Sequence, residues 1–203
     1  MILAIESGAD LVSVAIGDLE HFSKVTLSAE RNSEELLRAV DYLRSSRKES
    51  KISAVSVCIG PGSYTGLRVG LACAQGIACG LNVPLIGVSS FLIGLFFRPV
   101  SDGQSEASCL LREGELANCK FSISQNGTLV EQLSSVQFCS SSTVNITPAN
   151  AEGLLKAALT IKDFTSFSDS QSHFIRTSGK QPLPLMYLKP VQAKTLVERG
   201  ILV

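Results

Sequence analysis

The stretch Gly60-Pro61-Gly62-Ser63-Tyr64-Thr65-Gly66-Leu67-Arg68-Val69-Gly70-Leu71 restricts the fold of this chain more than any other. The apolar run before it, Ala54 to Ile59, reads as a short buried strand bounded by turn residues. Gly60 and Gly62 permit backbone conformations closed to other residues, Pro61 fixes its own φ, and Ser63 or Thr65 can cap a following helix. Strand, turn and helix therefore follow one another without a spacer. The start of such a helix presents N–H groups that can hold an anion or a partner's carbonyls.

The helix itself carries a second pattern. From Gly66 to about Leu81, the residues Gly66, Gly70, Ala74 and Ala78 recur every four positions, which leaves one face nearly bare of side chains. Another helix can approach such a face closely, ridges into grooves. The sequence leaves two readings open: a contact inside the chain, or a helix built to dock against a second subunit.

The rest of the first hundred residues reads as strand Ile2 to Ile5, strand Leu11 to Ile16, strand His21 to Leu27, helix Ser33 to Arg44, strand Ala54 to Ile59, helix Thr65 to Leu81, strand Leu85 to Val88, and a helix from Ser89 to about Phe97. Three strands before the first helix argue for a mixed sheet with an antiparallel meander at one edge, since a plain βαβ unit alternates from its start. Turn residues thicken between Arg98 and Glu106, which sets a lobe boundary near residue 100. Beyond it the sequence predicts strands at Ala107 to Leu111, Leu116 to Ser124 and Leu129 to Phe138, with Asn126-Gly127 as a hairpin turn. A Ser/Thr-rich loop then runs from Cys139 to Thr147. A helix follows from Pro148 to Leu159, capped by Thr147.

Composition narrows the function classes. Lys and Arg together number 18, as do Asp and Glu, so no basic excess marks an independent nucleic-acid surface. The small cluster Arg47, Lys48 and Lys51 reads as a solvated loop. The six cysteines, at 58, 73, 79, 109, 119 and 139, show no Cys-x-x-Cys spacing. They are expected to be reduced thiols, those at 58, 73 and 79 buried as small hydrophobes, which places the chain in the cytosol. No signal peptide is expected, because Glu6 interrupts the apolar start. The run Val83 to Phe97 is too short to span a membrane, which takes about 20 residues.

The residues offer three candidate chemistries. Glu6, at a strand end beside a turn, could orient a magnesium-bound water, so Glu6, Gly62 and Ser63 are the candidate nucleotide-binding residues. Only His21 and His173 are present, so no paired-histidine metal site exists in the sequence. Ser63 lies in Gly-Pro-Gly-Ser-Tyr-Thr-Gly rather than Gly-x-Ser-x-Gly, and reads as a helix cap rather than a nucleophile. No catalytic residue and no metal ligand is predicted.

The segment Gly60 to Leu71, continuing through Ala74-Gln75-Gly76-Ile77-Ala78 and Asn82-Val83-Pro84-Leu85-Ile86-Gly87-Val88-Ser89-Ser90, resembles the TsaB (YeaZ) family. Ile2-Leu3-Ala4-Ile5-Glu6-Ser7 resembles that family's opening strand, with Glu6 where the family has Asp. Asn32-Ser33-Glu34-Glu35-Leu36-Leu37 resembles its first helix, and Pro184-Leu185-Met186-Tyr187-Leu188-Lys189 its closing segment. At Leu110-Leu111-Arg112-Glu113-Gly114-Glu115 the chain keeps the family's Arg and Gly-Glu but lacks its Asp. The resemblance implies an α/β fold of the actin/sugar-kinase (ASKHA) type: two lobes with mixed sheets, residues 1–100 forming the first and residues 101–203 a reduced second. It also implies a scaffold without catalysis of its own, one that binds the paralogue TsaD for threonylcarbamoyl transfer to adenosine 37 of tRNA. The ATPase TsaE joins them, tRNA is met only through the complex, and the chain pairs with itself when alone. No cofactor is expected on this chain alone, and ATP with magnesium is expected only in the complex. By the same resemblance the partner interface is helical: Gly66, Gly70, Ala74 and Ala78 flanked by Leu67 and Leu71, with Leu36, Leu37 and Val40 from the first helix. The rival readings are an ATPase or small-molecule kinase of that superfamily, and a protease.

Overall fold

The computed structural model describes residues 1–27, 32–47, 51–97, 101–110, 116–139, 149–165 and 172–188. Its first sheet is built from β1 (Ile2–Glu6), β2 (Ser13–Gly17), β3 (Phe22–Thr26), β4 (Ala54–Cys58), β5 (Leu85–Val88) and β11 (Phe174–Thr177), in the order β11-β5-β4-β1-β2-β3. β1, β4 and β5 run parallel, while β2 and β3 form the expected antiparallel meander at one edge. All five residues of β1, and all five of β4, are buried. These two are central strands covered on both faces, hence near-continuous apolar runs rather than alternating ones.

Alternation along β1 sorts the side chains into two cores. Leu3 and Ile5 face a layer made by α1 (Asn32–Ser45) and α2 (Tyr64–Leu81), where they meet Leu36, Val40, Leu43, Ala74 and Ala78. Ile2 and Ala4 face the other way, toward α3 (Ser90–Phe96) and α4 (Ala151–Thr160). That second core extends to Ala117, Cys119 and Phe121 of the second sheet. This sheet holds β6 (Gly103–Leu110), β7 (Leu116–Ser124), β8 (Leu129–Gln132) and β10 (Asp163–Thr165) in the order β10-β8-β7-β6, with β9 (Gln137–Cys139) also pairing β7.

Local chemistry sets the helix ends. Ser63 Oγ accepts from Gly66 N at 3.3 Å and starts α2, while Asn82, in the left-handed region at φ 52°, ends it. Ser89 Oγ caps α3. The cap of α4 differs from the sequence expectation: Asn150, not Thr147, accepts from Glu152 N and Gly153 N, and the helix begins three residues later than Pro148. The predicted strand Leu129 to Phe138 is two short strands, because β8 pairs one end of β7 and β9 the other. The Asn126-Gly127 turn is present, with Gln125, Asn126 and Gly127 all at positive φ. Phe174–Thr177 had no predicted counterpart; it leaves the second half of the chain to pair antiparallel with β5. Among the described residues no helix is long and apolar enough to cross a membrane. The basic residue Lys48, the segment 111–115 and most of the Ser/Thr-rich loop lie outside the described residues.

His173, read from sequence as part of a polar stretch, is instead 1% exposed at the junction of the two sheets. Its Nδ1 lies 2.8 Å from Ser89 Oγ, and its ring sits edge-on to Phe91 and Phe121. Burial pulls its pKa from 6.5 down to about 4. The folded state thus favours neutral imidazole, so this contribution to stability is complete above about 6.5 and is lost as pH falls toward 4, on the order of 3 kcal/mol in all. His173→Phe is expected to flatten that acid limb, as read by chemical denaturation across this pH range.

Candidate functional site

The carboxylate singled out by the sequence lies at the end of β1, and it is closed off. Glu6 is 0% exposed. Its Oε1 accepts from Gly8 N at 2.8 Å and from Ala9 N at 3.1 Å, while Oε2 is buried without a hydrogen-bond partner. The Cys58 thiol lies beside it as a weak donor. Around them Cys58 Sγ stands 3.2 Å from Ser90 Oγ, Ser90 Oγ donates to Pro61 O at 2.7 Å, and Cys109 Sγ donates weakly to the same carbonyl at 3.6 Å. Residues of β4, α3, β6 and the Gly60 turn together seal the space. Desolvation raises the Glu6 pKa from 4.5 to about 7, against the opposing pull of its two backbone N–H bonds.

This corrects the nucleotide reading of Glu6, Gly62 and Ser63. A carboxylate with no exposed oxygen cannot orient a solvated magnesium ion. The turn's donors are used within the chain: Ser63 N donates to Gly8 O at 2.8 Å and Gly66 N to Ser63 Oγ. Gly62 is exposed, but its Cα side rests on the Gly8 backbone. These residues do not fit a nucleotide with its metal. Among the described residues no group of three or more His, Cys, Asp or Glu could hold a metal ion.

The small-residue face of α2 is also placed differently from the interface expected. Gly70, Ala74, Ala78 and Leu67 are buried, and Gly66 is half-buried. A Cβ on Gly66 would overlap the Ser7 carbonyl oxygen, and one on Gly70 would overlap Ser7 Oγ. Ser7 Oγ donates to Gly66 O at 2.8 Å. The bare stripe therefore lets the chain's own β1 pass against α2. Leu36 and Val40, 1% and 2% exposed, belong to the same internal core, and half-buried Leu71 packs at its edge. Of the expected contact residues only Leu37, 58% exposed, faces solvent.

A second stripe, missed in the sequence, lies on the opposite side of α2. Thr65, Arg68, Ala72, Gly76, Cys79 and Gly80 are exposed, and a Cβ built on Gly76 or Gly80 meets nothing within 4 Å. Residues 70 and 72 differ by 200° around a helix, so the two small stripes point apart. Cys79 is accordingly on the surface rather than buried. At the N-terminal end Arg68 stacks over the Tyr64 ring and bonds its hydroxyl, and Tyr64 lies 5.4 Å from Tyr187. On neighbouring α1, Leu37 and Tyr42 are exposed, the latter at 68%. Tyr42 also lines a shallow cleft of about 280 Å³ with Val25, Leu27, Glu35, Arg38 and Ala39.

Residues 26–115 match the family model described as TsaD: tRNA N6-adenosine threonylcarbamoyltransferase. The tRNA threonylcarbamoyladenosine biosynthesis protein TsaB of Escherichia coli K12 is 36% identical over 94 residues, 45% of this chain and 41% of that protein. YeaZ from Pseudomonas aeruginosa has a similar structure, with TM-score 0.63 at 19% identity over 77% of this chain and 89% of that one. An uncharacterised protein with similarity to peptidase YEAZ from Pseudomonas aeruginosa matches its fold more fully, with TM-score 0.69 at 19% identity over 93% of this chain and 99% of that one. The fold is thus the ASKHA-like α/β arrangement expected. The TsaB sequence match spans about two fifths of the E. coli protein's length. The residues matched by the family model, 26–115, carry α1, β4, α2, β5 and α3, and so both faces of α2.

Proposed function

We propose that this chain is a non-catalytic subunit in the formation of threonylcarbamoyladenosine on tRNA, docking on a TsaD paralogue through the outer faces of α1 and α2. The observation that carries the proposal is the sealed Glu6: the one acid that could serve nucleotide chemistry at the end of β1 is wholly buried behind Cys58, Ser90 and Cys109. The names of the TsaB relatives support the pathway. The presence of only two histidines, one of them locked between aromatic rings, supports the absence of a metal-dependent transfer centre. What remains for recognition is a helical surface of small residues edged by Leu37, Tyr42, Tyr64 and Arg68. Gly76, Gly80 and Ala72 allow close backbone approach with many dispersion contacts, and Tyr and Arg are the residue types that most often anchor interfaces.

On this reading the TsaE ATPase and tRNA are met through the assembled complex, and ATP with magnesium binds there rather than on this chain. The same surface would pair two copies when TsaD is absent. Calorimetric titration of magnesium-ATP into the isolated chain tests the cofactor part and is expected to give no saturable heat. Saturable binding that is lost in Glu6→Gln would instead favour the kinase or ATPase reading.

A further inference from the structure

We propose that Glu6 is a proton-controlled latch that holds the Ser7 to Ala9 turn against the start of α2. The contacts run in series. Glu6 Oε1 holds Gly8 N and Ala9 N, Gly8 O holds Ser63 N, and Ser7 Oγ holds Gly66 O. The second oxygen, Oε2, is buried with no partner, which suits a neutral carboxyl and strands a charged one.

Beyond the two backbone N–H groups on Oε1 and the weak Cys58 donor, the groups facing it carry no positive charge. β4 presents the Cys58 thiol, whose pKa burial and the nearby Glu6 push well above its usual value, and β6 presents Cys109, pushed up to about 12. α3 presents the neutral Ser90 hydroxyl, and no cation acts on Glu6 among the described residues. A carboxylate formed here must draw in water. The Gly8 backbone lies against exposed Gly62, and ionisation opens the adjoining Ser63 N to Gly8 O bond. The Glu6 side chain folds back onto the Gly8 and Ala9 N–H groups of its own turn.

Amide hydrogen exchange at Ser63, corrected for the intrinsic pH dependence, reads the latch directly. Protection is expected to be steady below about pH 4.5, to fall by up to about tenfold per unit as pH rises from there to about 7, and to level off above that. In Glu6→Gln it should stay flat over the same range. A flat wild-type profile, or the same fall in Glu6→Gln, overturns the proposal. Carbon-13 titration of the Glu6 carboxyl in the unaltered protein gives a check that needs no variant: a midpoint near 7 supports the latch, and one in the ordinary carboxylate range removes it.

Discussion

Gly66→Ala destabilises the isolated chain more than Gly70→Ala does, although both add one methyl group to the same helix face. At Gly66 the new Cβ meets the Ser7 carbonyl oxygen, part of a backbone fixed by β1; at Gly70 it meets the Ser7 hydroxyl, which can rotate away. Overpacking of this kind costs about 1–3 kcal/mol, and more where backbone must move. We expect a loss above about 3 kcal/mol for Gly66→Ala, equivalent to roughly 6–12 °C in melting temperature for a chain of this size. Gly70→Ala should lose less, and a further Ser7→Ala change should restore part of it, whereas Ser7→Ala should leave Gly66→Ala unrescued. Thermal melts followed by circular dichroism decide the point. Variants that melt with the wild type would return this stripe to the surface.

The outer stripe should respond in the opposite sense. Ala72→Glu with Gly76→Glu replaces small residues that face solvent, so stability of the free chain should change by no more than about 0.5 kcal/mol per site. Two carboxylates standing where another helix must approach would hold the backbones apart and bury charge. Hot-spot positions near the centre of an interface lose about 2 kcal/mol or more, and two such sites predict TsaD binding at least about 100-fold weaker. Unchanged affinity in titrations with TsaD would move the partner surface off α2. The paired results test the proposed division between the two faces, inner glycines for folding and outer ones for association.

The contrast also explains how much the sequence disclosed. Central strands such as β4 and β5 are short apolar runs between turn residues, and the α2 cap follows from Ser63 standing three residues before Gly66, so the first sheet and its helices were legible. The Asn126-Gly127 turn was legible for the same local reason. Two interleaved stripes of small residues were not separable, because each repeats every four positions and spacing alone does not say which faces the sheet. The tight turn after Glu6 was the available signal, since a chain passing Ser7 against a helix requires glycine opposite it. β11 escaped notice because Phe174–Thr177 is short and only half-buried, and its pairing with β5 is a long-range contact. The burial of Glu6 and His173 depends on side chains brought from β6, β7 and α3, far away in sequence, which no local pattern records.

The most direct test of the account is light scattering on a size-exclusion column, with this chain alone, with the TsaD paralogue, and with the two mixed. The account predicts a defined mixed complex that forms at the expense of any self-pair and is abolished by Ala72→Glu with Gly76→Glu. Separate peaks for the two proteins, with no change in mass on mixing in the presence or absence of magnesium-ATP, would contradict it.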